Sequence, residues 1–212
     1  MTLSALSPTT ATLPPRAFNG ISLCLLVGGA LWVAHYAMQL VMGISTGAVK
    51  PDNRLWTIDG LLFTGAVVGL CIGLLRLGTQ VSSRWAQVGM VFAAVAAIAI
   101  VAGIVRFAIM GQPPGILGAV GVVGSCVSAT LLAIGARHNR VLDSSLANLL
   151  LAIGVCTFPL IVAFAFPAGK WMPAYFTDEL PFALSGLAWM VFASRLKSTK
   201  VHSEPAAQMA LS

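Results

Sequence analysis

Long apolar runs separated by short polar stretches set the plan of this chain. Six windows of mostly apolar residues, roughly 18–44, 56–77, 85–110, 115–136, 146–166 and 180–196, approach or exceed bilayer-spanning length. A helix needs about 20 such residues to cross the hydrocarbon. The pattern predicts an all-α fold: a polytopic transmembrane helical bundle of six spans forming one domain over 18–196. A Ser/Thr/Pro-rich tail, 1–17, precedes it and a second tail, 197–212, follows. Pro14 and Pro15 speak against helix at the end of the first tail. The apolar run after them is far longer than the h-region of a signal peptide.

Within the runs, the small and polar positions carry the information. Glycine recurs every fourth residue at Gly65, Gly69 and Gly73, and every third at Gly115, Gly118, Gly121 and Gly124. Such faces let helix backbones approach closely where lipid offers no hydrophobic drive for association. Gly65, Gly69, Gly73, Gly118 and Gly121 are therefore candidate contacts, within the bundle or with a second copy or another membrane protein. Pro159 interrupts the fifth run and predicts a kink. The first run carries a polar stripe, since Trp32, His35 and Gln39 fall on one helical face. The tight stretch Gly111-Gln112-Pro113-Pro114 predicts that spans three and four are antiparallel neighbours.

Composition turns this pattern into a statement about solvent. The chain is 58% hydrophobic and 8% charged, with a mean hydropathy of +0.92. A soluble domain carries about 25% charged residues, so lipid must replace water around much of this surface. Net charge is +6, yet no segment combines clustered cations with interleaved aromatics, which argues against nucleic acid as a partner. The cations instead report orientation. Arg16, Arg76, Arg84, Arg137, Arg140, Arg195, Lys197 and Lys200, eight of the twelve, flank one side of the bundle. Lys50, Arg54, Arg106 and Lys170 flank the other. The positive-inside rule then places both termini in the cytoplasm of a multi-pass plasma (inner) membrane protein. The four cysteines fall in four different apolar runs, without the spacing of a redox pair or zinc site, and read as packing residues.

Ionisable groups are costly inside a membrane, about 2.5–3.5 kcal/mol each near a helix centre on insertion scales. The candidates here lie toward the outer leaflet: His35 and Gln39, Asp59, Arg106, and Asp178 and Glu179 above the sixth span. If these helices meet, His35, Gln39, Asp59, Arg106 and Glu179 line an outward-facing polar pocket, with Arg106 pairing with Asp59 or Glu179. Each has a plainer structural reading. Asp59 and Glu179 fall in first turns, where acids complement the helix dipole; Arg106 is close enough to the boundary to snorkel; His35 suits an interhelical packing bond. Catalytic residues, metal ligands and cofactors are not expected: there is no H-E-x-x-H, no Walker loop and no G-x-S-x-G. Binding or transport of a small solute or lipid headgroup is the expected role. A structural subunit packing through the glycine faces is the alternative, and a lipid-directed enzyme using His35 and Asp59 comes third.

Overall fold

A computed structural model describes residues 15–46, 53–110, 115–165 and 180–198, with side chains described over 18–43, 55–110, 115–163 and 180–198. The described residues form six helices and no strand. They are α1 (Pro15–Thr46), α2 (Asn53–Gly78), α3 (Arg84–Met110), α4 (Ile116–His138), α5 (Ser144–Ala165) and α6 (Leu180–Ser198). The first five are long and apolar enough to cross a membrane. α6 has only 19 residues and ends on Arg195 and Lys197, so it falls outside that group while packing in the same bundle.

Two helix starts differ from the sequence expectation. α1 begins at Pro15, inside the segment read as tail; proline is tolerated in a first turn because its missing N–H has no intrahelical partner there anyway. α2 begins at Asn53, which moves Asp59 out of the first turn. The dipole explanation for Asp59 therefore falls, since these helix-end effects fade within one turn. The remainder of the amino-terminal tail, Lys50-Pro51-Asp52, the Gly111–Pro114 connection, the aromatic stretch before α6 and the carboxy-terminal tail lie outside the described residues.

Each helix packs on its neighbours in sequence, α6 closes the ring against α1, and α2 also touches α4 across the centre. The crossings rest on small residues. In the α1–α2 pair Gly69 lies against Gly28, Gly73 against Leu25 and Gly65 against Leu31. A methyl on Gly29 would stand 2.6 Å from the carbonyl oxygen of Gly186, and one on Gly186 the same distance from that of Gly29, so α1 and α6 touch backbone to backbone. Gly124 faces Ala96, Gly121 faces Ile100 and Gly89 faces the Ser128 carbonyl, an antiparallel register for α3 and α4. Gly154 sits on Thr130 and joins α4 to α5.

The distribution of size is the reverse of a water-soluble helix. α3 buries Ala86, Gly89, Ala93, Ala96 and Gly103 while Ile98 and Ile109 are 70% and 78% exposed. Lipid is as apolar as isoleucine, so large side chains gain little by leaving it, and close backbone approach dominates packing. Cys71 and Cys126 are buried and all four cysteines are unbridged.

Two described turns sit at one end of the bundle. Ser83 Oγ accepts from the Ala86 N–H to start α3, and Asp143 Oδ1 accepts from the Leu146 N–H to start α5. α4 ends in a Schellman arrangement: Val141 N–H bonds the Ala136 carbonyl and Arg140, at φ 54°, takes the left-handed position. Asn139 ties the two turns by donating to the Ser82 carbonyl at 2.7 Å. Arg76 reaches α1 at Gly20, so the start of α1 is at this same end. Arg76, Arg84, Arg137, Arg140, Arg195 and Lys197 all collect there. Among the described side chains Arg106 is the one Lys or Arg at the opposite end.

Candidate functional site

The glycine ladder of α2 determines what α1 can touch. With Gly73 on Leu25, Gly69 on Gly28 and Gly65 on Leu31, continuing the antiparallel register by two further turns sets Asp59 beside His35 and Gln39. His35 Nδ1 lies 2.7 Å from Asp59 Oδ1, and Gln39 Nε2 donates to Asp59 Oδ2 at 2.7 Å. His35 and Asp59 are 5% and 3% exposed; Gln39 is half-buried. This is ion-pair distance, and the contact is an ion pair when the imidazole is protonated.

Aromatic rings enclose the pair. The Phe63 ring, one turn along α2 from Asp59, lies 5.2 Å from the imidazole, and Phe182 of α6 lies 6.1 Å from it, edge-on. Phe182 also meets Phe63 at 5.7 Å and Trp32 at 5.5 Å. The cluster is thus a three-helix junction, with the polar stripe of α1 facing an acid on α2 and a phenylalanine edge on α6. Trp32, one turn deeper than His35, is 1% exposed, and its indole N–H has no hydrogen-bond partner among the described residues. A buried donor left unmade costs about 1–3 kcal/mol.

Of the five residues expected to line a common pocket, the structure brings together His35, Gln39 and Asp59. Arg106 is exposed near the far end of α3. Glu179 lies outside the described residues. Phe63 was legible as the residue one turn from Asp59 on the same face; nothing in the sequence pointed to Phe182. Trp32 belonged to the polar stripe but its orphaned N–H is a property of the packing. A second polar link joins α5 to α6, where Thr157 Oγ1 and Ser185 Oγ share a hydrogen bond of 2.9 Å. Thr157 also donates to the Ile153 carbonyl, beside the turn that Pro159 leaves short of one bond.

Comparison of the chain with protein-family models, with curated proteins and with solved structures finds no match. Its function has to be argued from the site alone.

Proposed function

We propose that this integral membrane protein resides in the plasma (inner) membrane with both tails cytoplasmic and α6 as a sixth span. In this reading it binds, or carries, a small solute or lipid headgroup at the outward half of the α1–α2–α6 junction. One observation carries the reading: a buried histidine–carboxylate pair accompanied, one turn deeper, by an indole N–H with no acceptor. Both features are expensive in an apolar surround, and a packing role is served more cheaply by the glycine contacts already present. A solute with an acceptor oxygen satisfies the Trp32 N–H, while the His35–Asp59 pair holds a proton within reach of it. Gln39, half-buried at the outer edge of the cluster, marks the approach.

The alternative of an assembly subunit is less well supported. Gly65, Gly69 and Gly73 lie against α1 and Gly121 against α3, and Gly118 is also buried. A partner would have to use the exposed aliphatic stripes instead.

The test is thermal unfolding of the purified protein in a neutral detergent with short carboxylates, amino acids, glycerol 3-phosphate and phosphocholine as probes. At least one raises the melting temperature of the unmodified protein, and Trp32→Phe and Asp59→Asn lose that response while keeping helical circular dichroism. A panel without effect on the unmodified protein, or a Trp32→Phe variant that responds like it, refutes the reading.

A further inference from the structure

At the basic end, α1 and α6 enclose a groove of about 460 Å³. Its polar wall is Asn19, Ser22, Ser194 and Lys197, and its apolar wall includes Leu23 and Leu26. The Ser22 side chain is 5% exposed and its hydroxyl has no hydrogen-bond partner among the described residues. Among the described residues, neither the Asn19 amide nor the Lys197 ammonium makes a hydrogen bond or ion pair. Ser194 alone is occupied, donating back to the Met190 carbonyl. Three polar groups of complementary kind, a hydroxyl, an amide and a cation, therefore converge on one groove.

The apolar side runs in the direction a lipid would need. Asn19, Leu23 and Leu26 form a single stripe of α1 at helical spacing, so polarity falls from the basic end toward the membrane interior over about 10 Å. Leu23 is 61% exposed beside the groove. Arg76, resting on Gly20 in the same stretch of α1, and Arg195 add positive potential. A second groove at this end, about 420 Å³ between α4 and α5, has a different character. Its Arg137 already contacts Asn148 at 3.4 Å, and no orphaned hydroxyl lines it.

We propose that the α1–α6 groove is a binding site for the phosphodiester headgroup of an anionic phospholipid. Lys197 takes the phosphate charge, Ser22 and Asn19 donate to its oxygens, and an acyl chain lies along Leu23 and Leu26. Basic pockets between helices at the cytoplasmic surface suit this chemistry, and the site is distinct from the His35–Asp59 junction at the other end of α1.

The test measures melting temperature for the full-length protein in dodecyl maltoside, titrated with phosphatidylglycerol, phosphatidylcholine or inorganic phosphate. Phosphatidylglycerol is expected to raise it saturably, with phosphatidylcholine and millimolar phosphate far weaker. Lys197→Gln weakens the apparent affinity about fivefold, the worth of one lysine near an anionic surface. Ser22→Val blocks the groove floor and Ser22→Ala supplies the milder variant. Arg137→Gln, in the other groove, leaves the affinity unchanged. Native mass spectrometry reads retained lipid on the same variants independently of their stability. Equal shifts with phosphatidylcholine, a phosphate response matching the lipid's, or an Arg137→Gln loss equal to that of Lys197→Gln would overturn the proposal.

Discussion

Removing the Asp59 carboxylate tests the energetic heart of the α1–α2 contact. With the imidazole protonated, opposite unit charges 2.7 Å apart attract by about 6 kcal/mol at an effective dielectric constant near 20. Desolvation of each ion takes back several kcal/mol, so the net coupling should be about 2–3 kcal/mol. A neutral interhelical hydrogen bond in a membrane protein averages about 0.6 kcal/mol and reaches about 1.7. The two descriptions are therefore separable. Asp59→Leu leaves the imidazole facing an apolar side chain and should cost about 3–5 kcal/mol, as breaking a buried pair does. His35→Leu should cost about as much, because it strands the carboxylate. With that coupling, the double variant should cost about 2–3 kcal/mol less than the sum of the two single variants. The assay is reversible unfolding in mixed detergent–dodecyl sulfate micelles, followed by helical circular dichroism, with the coupling taken from the double-mutant cycle. A coupling at or below about 0.6 kcal/mol would show that proximity without charge describes the pair, and the reading of this site as a proton-holding dyad would fail.

The α1–α6 contact predicts a sharp size limit. Gly186→Leu or Gly29→Val must push two backbones apart and should cost about 1–3 kcal/mol or more, whereas Gly65→Ala, where a methyl would stand 3.1 Å from the mobile Leu31 Cδ1, should cost less than 1 kcal/mol by the same assay. Arg140→Gly relieves a left-handed residue at the α4 terminus and should raise stability by about 1 kcal/mol; a decrease would mean that the Arg140 side chain holds the turn. Thr157→Val removes the buried bond to Ser185 and should cost about 0.6 kcal/mol, no more than about 1.7. For orientation, Ser82→Cys in a background without the four native cysteines should react with an impermeant maleimide only after the cells are opened. Labelling in intact cells would invert the proposed topology.

Much of the plan is written in local sequence. Inside lipid each span must satisfy its own backbone, so helix identity and length follow from composition within a single segment. That is why the run 85–110 predicts a span and Arg84–Met110 is observed. The stripe Trp32, His35, Gln39 was equally legible, because residues on one face of a helix are fixed by its period alone. The Gly65, Gly69, Gly73 ladder announced a close contact for the same reason. Which helix it met was another matter.

Partner choice and helix rotation depend on contacts between segments far apart in the chain. No local rule says that Gly69 meets Gly28, or that Gly29 meets Gly186, yet those contacts carry Asp59 to His35 and bring Phe182 against the imidazole. Sequence alone determined that this is an α-helical protein built for a bilayer, where its helices run and where its charges fall. Tertiary structure decided which of those charges became neighbours, because within an apolar solvent that choice belongs to the fit of one backbone against another.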